Sequence, residues 1–176
     1  MDLTLFETME APELRTYLKI LLYHYRLVDA LWFLKVAEKY DQAAAEGINE
    51  EIWGRLSEKA AKDLLSGFQL RANGLKGFVE AIQYLPWGIL TGYDIEERPD
   101  EVLLSVPSCP PQVARRKHGM GEFVCKHMHR GSFEGFARVV DPRIRVQCLF
   151  APPDPHPDNL FCRWRFYLEE DAVANG

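Results

Sequence analysis

The sequence predicts an α+β fold, with an N-terminal helical layer packed on a C-terminal antiparallel sheet that carries inserted short helices. Three observations carry that prediction. Apolar residues recur at three- and four-residue steps from Leu14 to Trp32. The texture changes after Pro86 to short β-branched or aromatic runs. Two late segments, RIRVQCLF and LFCRWRFYL, alternate apolar and polar side chains. A single domain of 176 residues is expected, helical over about residues 10–86 and sheet-containing and cysteine-rich over about residues 87–170. A chain of this length can bury a core without help from metals or disulfides.

The first helix should start at Pro12, which suits a first helical position, and run to about Ala45, ending near Gly47. Within it, His24, Leu31 and Glu38 fall on one stripe. His24 and Glu38 are still roughly 21 Å apart at a rise of ~1.5 Å per residue, too far to share an ion in a straight helix. Asn49 reads as the cap of a second helix, with Glu50 and Glu51 in its first turn and Ile48 and Trp53 at the spacing of a hydrophobic staple. Leu75 to Leu85 reads as a third helix stopped by Pro86. WGILTGYDI and EVLLSV read as the strands of a hairpin about EERPD. PPQVARRK reads as a short helix ended by Gly119, and EFVCKHMHR as another, up to Gly131. SFEGFARVV then restarts a helix with Ser132 as its cap, before the two alternating strands.

No apolar run approaches the ~18 residues needed to span a bilayer. The acidic N-terminus MDLTLFETMEAPE lacks the basic start of an export signal, so a cytoplasmic protein without membrane association is expected. In that compartment thiols stay reduced, and cysteines point to metal, catalysis or packing. The net charge of −5 is uneven: residues 1–100 hold 11 basic and 17 acidic side chains, whereas residues 107–146 hold 8 and 3. A pI near 5.6 argues against a nucleic-acid binder and leaves a small, anionic ligand as the better match to the basic stretch.

The functional signal is the cluster of chemistry between Ser108 and Phe166, where all four cysteines and four of the five histidines fall. Alternation puts Ile144, Val146, Cys148 and Phe150 on one strand face, and Leu160, Cys162, Trp164 and Phe166 on one face of the next. Pairing about a loop centred near Pro155 would set Cys148 opposite or nearly opposite Cys162, with Cα atoms roughly 4.5–5.5 Å apart. Cys109 sits at a helix start, where the macrodipole favours a thiolate, and Cys125 should lie on a helix over the same sheet face.

Three readings of the thiols are open. Each can be a small buried hydrophobe. Cys109, Cys125, Cys148 and Cys162 can be metal ligands, with zinc or iron as the cofactor, although their spacing matches no CxxC knuckle. Cys109 or Cys125 can be a nucleophile with His127, His129 or His156 as base. Arg116 is a candidate anion contact. On the opposite strand face, Arg143, Arg145, Arg163 and Arg165 call for negative charge over them, from acidic residues of the N-terminal helices or from a bound anion.

The segments HYRLVDALWFLKVAEKY, EEIW, CPPQVARRKHGMGEFVCK, DPRIRVQC and PPDPHPDNLFCRWRF together resemble a family of small uncharacterised prokaryotic cytosolic proteins. That family is distantly similar to the L-2-amino-thiazoline-4-carboxylic acid hydrolase group. The resemblance implies Cys109, Cys125, Cys148 and Cys162 as motif positions, and His24, Asp29, Trp32 and Glu38 as weaker, ligand-side positions.

Two functions are therefore expected. The first is a hydrolase-like protein acting on a small C–N or thiazoline-type substrate, using Cys109 or Cys125 with His129 or His156. The other is a non-enzymatic module that holds a metal, cluster or small ligand through the cysteines. A homodimer formed by the amphipathic first helix is a third possibility, from the class of interaction proteins.

Overall fold

The computed structural model describes residues 1–169. Seven helices and four strands follow in the order α1 (Thr4–Glu7), α2 (Ala11–Lys39), α3 (Gln42–Gly67), α4 (Gly74–Ile82), α5 (Pro86–Thr91), β1 (Asp94–Glu97), β2 (Glu101–Val106), α6 (Pro110–Lys117), α7 (Lys126–Val140), β3 (Ile144–Phe150) and β4 (Cys162–Leu168). The fold is α+β, helical first and sheet last, as the sequence predicts. The sheet is antiparallel throughout, in the order β1-β2-β4-β3.

Layering follows from which faces are apolar. Phe78 and Ile82 of α4 and Phe133, Phe136 and Ala137 of α7 are buried against Leu104, Trp164 and Phe166 of the sheet. The Phe78 and Phe166 rings lie 4.3 Å apart, and Phe133 sits between Trp164 and Phe166 at 5.3 and 5.5 Å. Helix α3 packs on the back of α7 through small residues. The Ser57 and Ser132 hydroxyls bond at 2.5 Å, and a Cβ on Gly135 would sit 3.1 Å from Glu58 Cγ. Helix α2 lies outermost, against α3. Among the described residues, no helix is long and apolar enough to cross a membrane.

The first helix ends earlier than its periodicity suggests. It stops at Lys39, and Asp41 caps α3 by accepting the Ala44 N–H at 2.7 Å. Gly47 does not break α3, and Asn49 is a buried residue inside that helix instead of its cap. Pro86 opens α5 from its first position where a strand was expected, so the hairpin shrinks to β1 and β2. Helix α7 runs unbroken through Gly131. Ser132 bonds to α3 and does not cap a restart, while Glu122 to Val124 are irregular.

The strand faces match the alternation, with Cys162, Trp164 and Phe166 buried and the arginines between them only half-buried. The register is different: Cys148 faces Trp164, and Cys162 faces Val106 of β2. An irregularity between Cys148 and Phe150 moves the pairing past the expected centre, so the two cysteines are not cross-strand partners. The arginine face is neutralised locally and not by the N-terminal helices. Arg163 bonds Glu96, Arg165 bonds Glu101, Arg143 bonds Asp141 and Arg145 bonds Glu169.

Candidate functional site

A cavity of about 620 Å³ opens between α2, α3 and α6. Its floor is deep and aromatic. Trp53 of α3, Trp87 of α5 and Met128 of α7 are each more than nine-tenths buried, and the two indoles lie 5.1 Å apart. Phe33 of α2 meets Phe123 at 5.4 Å along one wall. Tyr93, Leu85 and Cys109 complete the interior. A volume of this size lies within the range of ~300–1,000 Å³ typical of small-ligand sites.

Few polar groups reach this interior, and burial dominates each. Asp29 accepts a hydrogen bond from the Trp53 indole N–H at 3.3 Å. Burial raises its carboxyl above the usual range, with the indole bond opposing. His129 stacks on Phe133, and burial pushes its imidazole down to about 4, so the ring is neutral at physiological pH. The Tyr93 phenol is raised, first by burial. Asn49 and Ser132 are buried lining groups.

The mouth has a different character. Arg26, Arg115, Lys117 and His118 line it, together with exposed apolar side chains such as Leu27, Leu34, Val113 and Met120. Arg115 donates to the Gly121 and Met120 carbonyls, which folds the loop after α6 back on the helix. Gln112, fully buried, pins the same loop more firmly. Its amide group donates to the Phe123 carbonyl at 2.9 Å, and its side-chain carbonyl accepts the Phe123 N–H at 3.1 Å. The same amide nitrogen reaches Cys125 Sγ at 3.4 Å. Lys126 grips Asp154 at 2.7 Å, and the Pro152 carbonyl accepts from the Cys125 and Lys126 amides.

The sequence-predicted residues divide between this cavity and other places. Cys109, His129 and Asp29 line it. Cys109 caps α6, as its position before Pro110 suggests, but burial pushes the thiol up to about 11, against the lowering effect of the Gln112 N–H. Burial raises Cys162 to about 12, Cys148 to about 11 and Cys125 further still. His156 lies away from the cavity and bonds Glu122 at 3.0 Å and the Pro157 carbonyl at 2.9 Å. Arg116 pairs with the same Glu122 and lies over the Phe161 ring at 4.7 Å. His24 is exposed on α2, Trp32 is 38% exposed, and Glu38 pairs with Lys35 on the helix surface. Trp53, Trp87, Phe33 and Gln112 were not anticipated as site residues.

Two expectations are corrected by this geometry. Among the described residues, no group of three or more His, Cys, Asp or Glu side chains could hold a metal ion, so the reading of the four cysteines as a zinc or iron site falls. Nor does any hydrogen bond join a histidine to a cysteine sulfur among the described residues. A side-chain amide, that of Gln112, reaches the Cys125 sulfur. All four thiols have raised pKa values, the opposite of an activated nucleophile.

The chain belongs to a family of unknown function, DUF6125, whose profile matches residues 13–168. No curated protein matches it. Among solved structures it is similar to a trafficking protein particle complex subunit 3 from Naegleria fowleri, covalently bound to palmitic acid. The TM-score is 0.55 at 16% identity, over 86% of this chain and 97% of that one. At that identity the likeness is one of fold. The expected kinship with the thiazoline-carboxylate hydrolase group is not found. The hydrolase reading and its alternative, a metal-, cluster- or small-ligand module working through the cysteines, are corrected with it: the matching family is one of unknown function, and the similar solved structure is a complex subunit.

Proposed function

We propose that this chain works as an assembly subunit, pairing with a second copy of itself through the outer face of α2. One observation carries the reading. Helix α2 is 29 residues long and has no buried residue, yet it exposes Tyr17, Leu18, Ile20, Leu21, Val28 and Leu31 to solvent. A helix apolar on more than one face is normally covered on more than one face, and α3 covers only one side of α2. Contiguous exposed apolar surface of this extent is the mark of a protein contact.

The pattern is also specific in form. Tyr17, Leu21, His24, Val28 and Leu31 follow one another at alternating four- and three-residue steps, the spacing of a coiled-coil seam. Val28 is the most exposed of the apolar four at 67%. No charged residue interrupts the stripe between Tyr17 and Leu31, so it is complementary to itself, as a two-fold interface requires. An antiparallel pair centred on His24 sets Tyr17 opposite Leu31 and Ile20 opposite Val28, and it brings Glu13 near the Lys35 of the second copy. A parallel pair would place like charges together. The structurally similar protein is itself a subunit of a complex, which agrees with a role in protein contacts.

The test is the double variant Val28→Glu and Leu31→Glu. Both side chains are solvent-exposed in the single chain, so the fold should survive with its circular dichroism unchanged. In a pair, four carboxylates would enter the seam without partners, each costing on the order of 2–4 kcal/mol. Size-exclusion chromatography should then shift from the paired to the single species. Elution of wild type and variant at one position, that of a single chain, would refute the reading.

A further inference from the structure

The cavity between α2, α3 and α6 has no part in the pairing face, which lies on the outer side of α2, and it is built with a marked polarity. Its floor is Trp53, Trp87, Leu85 and Met128, all buried. Its mouth carries Arg26, Arg115, Lys117 and His118, and the single carboxylate in the lining, Asp29, is deep and held by the Trp53 indole. Lys35 pairs with Glu38, Lys59 with Asp63 and Lys126 with Asp154, while other basic side chains among the described residues stand without a carboxylate partner. Arg26 and Lys117 are of the second kind. Among the described residues neither has an acidic partner, and Arg26 instead lies over the Tyr23 ring at 5.5 Å. Two cations without counter-ions thus stand at the opening of an apolar chamber.

From this polarity we infer that the cavity is a binding site for an amphipathic carboxylate, its apolar tail against Trp53 and Trp87 and its anionic head between Arg26 and Lys117. The tail gains by leaving water for a lining that is mostly aromatic and aliphatic. The head stays at the rim, where two cations attract it without the cost of full burial. A cationic head is disfavoured at the same rim by those charges. Asp29 does not reverse this, because it is deep and already accepts the indole N–H. The exposed Leu27, Leu34, Val113 and Met120 around the opening extend the apolar wall outward, so a tail longer than the chamber still finds contact. Cys109 belongs to the wall only, and binding forms no covalent bond.

The experiment titrates the protein with dodecanoate, 1-dodecanol and dodecylamine, each below its micelle concentration, following Trp fluorescence and calorimetry. Dodecanoate should bind with one site per chain and leave the intact mass unchanged. The alcohol should bind about tenfold more weakly, and the amine should not bind measurably. Arg26→Glu with Lys117→Glu should weaken dodecanoate at least tenfold and leave the alcohol as it was. Ala30→Trp, which fills the chamber from α2, should abolish both. Equal affinity for all three head groups, dodecanoate binding untouched by the double charge reversal, or binding retained in Ala30→Trp would each overturn the assignment. So would the absence of any binding by a folded protein. None of these results depends on whether the chain pairs through α2.

Discussion

Replacing His129 by Gln should remove a specific acid sensitivity from the fold. Burial holds the folded imidazole down to about 4, whereas an unfolded histidine titrates near 6.5. The folded pKa lies below the unfolded one, so between those values the unfolded chain binds the extra proton. Stability from this group is complete above about pH 6.5 and falls as the pH drops, at up to ~1.4 kcal/mol per pH unit. Integrated over the window the loss is about 3 kcal/mol, reduced by whatever water the cavity admits beside the ring. His129→Gln has the same polar reach but no titration in this range. Urea unfolding of both proteins from pH 7.5 to 4 supplies the test, with the difference between the two curves isolating the histidine. Wild type should lose about 2–3 kcal/mol more than the variant. Parallel curves would refute the account of a buried neutral imidazole, and a wild type that gains stability on acidification would reverse its sign.

Asp141 accepts the Gly74 N–H at 2.9 Å and the Arg143 guanidinium at 2.7 Å, bonds that hold its carboxyl well below the usual carboxylate range. Asp141→Asn should cost about 2 kcal/mol at pH 7, and the difference from wild type should shrink as the pH falls below about 4, measured by urea denaturation. Gly77→Ala should destabilise by about 1–3 kcal/mol, because its Cβ would lie 2.3 Å from the Arg71 carbonyl oxygen. Gly135→Ala should change melting by less than that, since its nearest neighbour is the flexible Glu58 side chain. Thiol labelling at pH 8 should reach the half-buried Cys148 first. The buried Cys109, Cys125 and Cys162 should react only on unfolding, as timed alkylation with mass spectrometry would show.

Much of the fold was legible because it rests on period and punctuation. The face shared by Cys162, Trp164 and Phe166, the start of α6 at Pro110 and the long helical run of α2 could each be read locally. Errors arose where two signals of similar strength competed. Gly47 looked like a helix end, yet a Cβ there would meet open space and α3 passes through it, while the stronger stop lay in the Asp41 cap. Pro86 both stops one helix and opens the next, and only the second role was missed. The register of β3 and β4 depended on an irregularity that strict alternation cannot reveal.

The site was less legible than the fold. Cys109, Asp29 and His129 were singled out by residue type and do line one cavity, but their partners there come from distant segments. Trp53 and Trp87 meet only because α3 and α5 are brought together by the core, and no local pattern marks that contact. Cysteine clustering in the sequence suggested convergence on an ion. In three dimensions Cys109, Cys125 and Cys162 are buried and Cys148 is half-buried, and burial raises the pKa of each.

The central claim is that α2 needs a second copy to cover its outer face. Sedimentation of the wild-type chain across a range of micromolar concentrations tests it most directly. The account predicts a species of twice 20.3 kDa that dissociates on dilution. A mass of 20.3 kDa at every concentration would contradict it.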